Sequence, residues 1–154
     1  MKDTEQYMLP IEIELMQANG SHIFSYITLN RKKIKVLIDT GATNTIFDAD
    51  FIKHEIRAEQ LANYESHAAG FNAEKTKTEV AVLNFSMAGL RIRNLACGLI
   101  DFAHINQSYT NLGLDHFYGI VGGDILYKYS AVIDYGKKKM ILKKAKSNMS
   151  KKQP

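Results

Sequence analysis

The sequence predicts a single, predominantly antiparallel, barrel-like β domain with two short helices. Short β-patterned runs follow one another with brief turns between them, and long helical periodicity is scarce. The chain has 154 residues, 45% hydrophobic, which suits one domain with a core of its own. Ten glycines against two prolines describe an ordinary globular composition.

Taken in order, residues 1–10 read as a polar N-terminal extension ending at Pro10. Ile11 to Leu15 alternates strictly between apolar and acidic residues, as a half-exposed strand does. Asn19-Gly20 is a hairpin turn signal. It leads into His22 to Leu29, rich in β-branched and aromatic residues, and Asn30-Arg31-Lys32 turns that strand into Ile34 to Ile38. Asp48 to Ile56 has capping residues followed by helically spaced apolar positions, which predicts a helix near Asp50 to Ile56. Tyr64 to Leu83 reads as a hairpin with a small-residue tip at Ala69-Gly70. Three further strands are expected at Val80 to Phe85, Leu90 to Leu95 and Cys97 to Phe102, with a turn at Ala88-Gly89. His104 to Thr110 is polar and reads as a loop. Gly119 to Val121 is an apolar strand, Asp124 is placed to cap a helix through Tyr129, and Ala131 to Tyr135 and Lys139 to Leu142 form a closing pair of strands.

Charge is unevenly spread. The formal net charge is +4, yet residues 137–154 hold eight of the twenty basic residues and no acid, so the remainder carries twelve bases against sixteen acids. Residues 145–154 are therefore expected to be a basic, disordered tail. The tail lacks interleaved aromatics, so nucleic acid is not expected as a partner. No apolar run approaches a membrane span and the N-terminus has no apolar signal region, which predicts a soluble, cytoplasmic protein. The single Cys97 excludes an intrachain disulfide, and its apolar neighbours make it a small buried hydrophobe. The five histidines show no ligand spacing, and no phosphate-binding glycine loop or glycine-elbow serine occurs, so neither metal nor cofactor is expected.

The chemistry concentrates at Ile34-Lys35-Val36-Leu37-Ile38-Asp39-Thr40-Gly41-Ala42. An apolar strand delivers one carboxylate into a turn of small and hydroxylated residues. Such a carboxylate must be met by N–H groups, a hydroxyl, or a second carboxyl that shares its proton. The plain alternative is an Asx-type turn in which Asp39 bonds its own backbone two residues on. Far downstream, Gly119-Ile120-Val121-Gly122-Gly123-Asp124-Ile125-Leu126 joins an apolar strand, a double glycine and a short helix. This pairing resembles a retropepsin-like aspartic protease over roughly residues 11 to 142.

The resemblance implies a closed, half-pepsin β barrel with one or two short helices, spanning 11–144. It implies that Asp39 is catalytic, that Thr40, Gly41 and Ala42 form the active-site loop, and that Gly122, Gly123 and Asp124 support it. The hairpin tip at Ala69, Gly70 and Phe71 would be the flap over substrate. Retroviral relatives place an arginine where this chain has Gly123, and a glycine-dense tip where it has a single Gly70. The chain supplies one such signature, so the implied enzyme is a homodimer that hydrolyses a peptide or protein between two Asp39 carboxyls. Asp134 faintly echoes Asp39, but Tyr135 and a lysine-rich turn follow it, which suits a strand-end Asp. The alternative from another class is an inactive peptide-binding module that keeps the fold.

Overall fold

The structure, a computed structural model, describes residues 3–56, 61–62 and 79–146. The opening meander forms as β2 (Glu12–Leu15), β3 (Ser21–Leu29) and β4 (Lys32–Ile38), paired antiparallel in that order. Asn30 and Arg31 join β3 to β4, both at positive φ (47° and 66°). This is the backbone of the hairpin turns whose twist matches that of the strands. The turn expected at Asn19-Gly20 lies one residue earlier: Ala18 and Asn19 take the left-handed conformation within a 3-10 turn, and Gly20 is extended.

Six strands then close into a barrel. β4 runs parallel to β9 (Gly119–Val121), β9 antiparallel to β5 (Ile46–Asp48), and β5 parallel to β8 (Leu90–Ile100). β8 pairs antiparallel with β7 (Glu79–Met87), which returns to β3 through Thr28↔Ser86 and Leu29↔Phe85. β6 (Leu61–Ala62) lies outside β7. Val36, Phe47, Leu83, Met87, Leu90 and Val121 are buried in the one main core. The two strands expected between Leu90 and Phe102 are the single β8. A register shift between Leu83 and Phe85 absorbs the irregularity, with Asn94 at φ 51° donating its N–H to Asn84 Oδ1 at 2.8 Å.

A second sheet has the order β1 (Thr4–Pro10), β11 (Lys139–Ala145), β10 (Val132–Asp134). Residues 4–10, read as an extension, thus form a strand paired along its whole length with β11, because Leu9 is buried against the core with Met140 and Leu142. The same ladder takes in Ala145, the first residue of the expected tail, and Lys146 just beyond the strand donates its N–H to the Asp3 carbonyl. Residues 147–154 lie outside the described residues, as do the flap candidates Ala69, Gly70 and Phe71.

Among the described residues there are three short α-helices: α1 (Ala49–Glu55), α2 (Ala103–Asn111) and α3 (Gly123–Lys128). α2 replaces the loop expected at His104 to Thr110. Its inward residues are Asn106 and Tyr109, and the Asn106 carboxamide donates to the Phe117 carbonyl (3.0 Å) and accepts from the Phe117 N–H (3.1 Å). A polar residue thus fills a buried position with its polar groups satisfied. Around it Phe24, Phe102, Tyr109 and Phe117 pack as edge-to-face rings on the outside of β3. Among the described residues no helix is long and apolar enough to cross a membrane.

Candidate active site

β4 delivers Asp39 because Val36 and Ile38 are held in the core on one side of the strand and β9 lies alongside. The Asp39 N–H donates to the Val121 carbonyl (3.1 Å), carrying the β4–β9 pairing one residue past the strand. The chain then turns sharply. The Ala42 N–H donates to the Asp39 carbonyl (3.2 Å), and the Gly41 N–H donates to Asp39 Oδ1 (2.8 Å). The Asx-type turn read as the plain alternative is therefore present, and it is what aims the carboxylate. A Cβ on Gly41 would stand 3.2 Å from Asp39 Oδ1, tighter than an ordinary contact. Asp39 is half-buried, and Thr40 and Gly41 are exposed.

The start of α3 braces this loop. The Gly123 N–H donates to the Ala42 carbonyl (2.7 Å) and the Asp124 N–H to the Thr43 carbonyl (3.1 Å). A Cβ on Gly122 would lie 2.8 Å from the Ala42 and Asn44 carbonyl oxygens, so the two segments approach as closely as they do only because glycine is there. Asp124, expected as the helix cap, lies instead in the first turn of α3, whose cap position is Gly122, and its carboxylate turns to the loop. One oxygen accepts the Thr45 hydroxyl (2.7 Å) and the Ile125 N–H (2.9 Å), and the other accepts the Thr45 N–H (3.0 Å). The Thr45 hydroxyl in turn accepts the Gly122 N–H (3.1 Å). Thr45 is fully buried and was not singled out from the sequence, because a threonine in a β-compatible run carries no local signal of a partner 79 residues away. Its network does the bracing for which Gly123 offers no side chain.

Asp39 opens on a surface cleft of about 450 Å³ whose walls include His22, Thr40, Ile38, Ile133 and Tyr135. Asp39 is the only carboxylate among the described lining residues. Asp134 is turned away from the cleft, its carboxylate accepting the Lys137 N–H (2.8 Å) in the turn after β10. Cys97 is buried, and burial first, then the nearby Asp124 charge, pushes its thiol up to about 12, so it holds no thiolate near neutral pH. Among the described residues no cluster of three or more His, Cys, Asp or Glu is arranged to hold a metal ion.

One apolar strand ending in Asp-Thr-Gly-Ala, locked to a Gly-Gly-Asp helix start, is the arrangement that a family comparison tests. The model described as aspartyl protease matches residues 26–125, which takes in both segments. The chain belongs to the aspartyl protease family. No curated protein sequence matches it. Among solved structures it is similar to a retropepsin-like aspartic protease from Rickettsia conorii, with TM-score 0.52 and 16% identity over 93% of each chain. It is also similar to the retroviral protease-like domain of Ddi1 from Leishmania major, with TM-score 0.49 and 19% identity over 73% of this chain and 80% of that one. The first likeness establishes a retropepsin-like fold for this aspartyl protease family member.

Proposed function

We propose that the chain is an aspartic endopeptidase completed by a second copy of itself, with the two Asp39 carboxyls sharing one proton. The observation that carries this is a braced Asp-Thr-Gly-Ala loop that presents a single carboxylate, flanked by exposed Thr40 and Gly41, on an open cleft with no second carboxylate among its described residues. A two-fold axis through that loop supplies the missing group without a second motif in the chain. The ionised carboxylate takes a proton from a bound water, whose hydroxyl adds to the peptide carbonyl carbon. The protonated partner gives its proton to the carbonyl oxygen. Collapse of the resulting diol breaks the C–N bond as the leaving nitrogen takes up a proton. In this reading Thr40, Gly41 and Ala42 shape the loop, Gly122, Gly123 and Asp124 support it, and Ala69, Gly70 and Phe71 lie over the substrate. The proposed setting is the cytoplasm.

Asp39→Asn tests this. Asparagine Oδ1 still accepts the Gly41 N–H, so the fold and loop should remain while peptide cleavage falls to background, and Asp134→Asn should leave cleavage largely intact. Cleavage that survives Asp39→Asn would sink the mechanism. The second reading, a peptide-binding module, is favoured by Gly123 standing where retroviral enzymes carry an arginine. It replaces the first if a dimer is demonstrated with its Asp39 carboxyls far apart and a broad peptide library is left uncut.

A further inference from the structure

His22 stands on the wall of the Asp39 cleft and has no part in the chemistry above. The β3–β4 register pairs Ile23 with Ile38, and one step further along both strands sets His22 opposite Asp39. Residues opposite one another in a sheet share a face, so the imidazole and the carboxylate lie on the same side. His22 Nδ1 is hydrogen-bonded to the Tyr109 hydroxyl of α2. A hydroxyl both donates and accepts, so this contact persists whether the imidazole is neutral or protonated. Burial holds the Tyr109 phenol above its ordinary range, which keeps it an uncharged partner. The nitrogen left for a ligand is Nε2.

Besides Asp39, the acidic groups nearest His22 among the described residues are engaged. Glu14 faces it across β2–β3, but its carboxylate lies 3.4 Å from Lys35 Nζ. Glu12 lies 2.9 Å from the same ammonium and accepts the Tyr26 hydroxyl, and Lys35 is only 7% exposed beneath them. α2 adds His104, more than a turn before Tyr109, and Asp134 beyond the far wall is tied to the Lys137 N–H. Among the described lining residues Asp39 and the Tyr135 phenol are the other ionisable groups, and His22 is the one basic side chain; the rest are apolar or hydroxyl-bearing.

An imidazole N–H beside the reacting carboxyls is a donor that a carboxylate side chain of a peptide can accept from. We propose that His22 is a specificity-determining residue that selects peptides bearing an Asp or Glu side chain close to the scissile bond. This rests on the reading of the cleft as a peptide site. His22 Nε2–H donates to the acidic side chain while the apolar walls take its neighbours.

Fluorescence anisotropy with the full-length Asp39→Asn protein, which binds without cutting, separates these claims. A peptide with Glu beside the scissile position should bind about fivefold tighter than its Gln twin, the strength of a partly exposed charged contact. Adding His22→Gln should remove the preference, whereas adding Tyr109→Phe, which keeps the imidazole, should retain it. In the active protein the Glu and Gln peptides should differ in KM with kcat unchanged. A preference that survives His22→Gln, or that disappears in Tyr109→Phe, overturns the proposal. Binding without preference removes only the role of His22. Failure of every peptide to bind any form removes the peptide site itself.

Discussion

Asp124 accepts three hydrogen bonds, two of them from the fully buried Thr45, and so ties the loop after Asp39 to the first turn of α3. Truncating it to alanine leaves the Thr45 N–H and hydroxyl without their acceptor in a place water reaches poorly. The expected loss is about 1–3 kcal/mol in denaturant unfolding. Because the same bonds hold the turn that aims Asp39, kcat/KM should fall further than stability alone accounts for, measured where the variant is still fully folded. An unchanged kcat/KM in a folded Asp124→Ala protein would show that the loop holds its geometry without this brace. The Asp39 turn itself was legible from four consecutive residues, since each bond within it is local. The partnership of Thr45 with Asp124 was not, since nothing near either residue specifies the other.

At the scale of elements, β1 decides how the chain begins. It pairs with β11 from Thr4↔Ala145 to Pro10↔Lys139 and buries Leu9 to 1% exposure. Deleting residues 1–10 should lower Tm by about 5 °C or more, the effect of losing one buried leucine before the ladder is considered. A truncated protein that melts with the parent would make β1 an ornament. Residues 1–8 read as polar, and only their pairing with a strand at the other end of the chain turns them into structure. α2 was unreadable for a related reason. Asn106 occupies a core position that a hydrophobic pattern expects to be apolar, and its suitability depends on the Phe117 backbone, eleven residues on. β8 hid its continuity likewise, since Asn94 looks like a strand end until Asn84 receives its N–H.

For the molecule as a whole, both ends of the described chain pair with each other in one sheet, Thr4–Pro10 on Lys139–Ala145, with β1 as an edge of that sheet. In the proposed two-chain enzyme the Asp39 faces of the two chains meet. Such a contact should be modest in area, and cleavage per mole of chain should rise with protein concentration until the dimer is saturated. The pH profile should be bell-shaped, falling once the pair is doubly ionised on the alkaline side and doubly protonated on the acid side. Initial rates over a hundredfold range of concentration, with solution mass measured alongside, test this. A monomer whose specific activity does not change with concentration would place the second carboxyl within the chain.

The sequence alone determined the features that short-range physics controls: a β domain, the turn chemistry at Asn30-Arg31, the Asp-Thr-Gly-Ala loop, and the double glycine that lets α3 approach it. It also held the position of His22, since a two-residue turn sets the β3–β4 register and so the residue opposite Asp39, although composition and spacing did not direct attention there. What the tertiary structure decided is long-range: closure of β7 onto β3, the union of β1 with β11, the helix around Asn106, and the network that joins Thr45 to Asp124. Each needs the free energy of contacts between segments far apart in the chain, which no window of neighbouring residues contains.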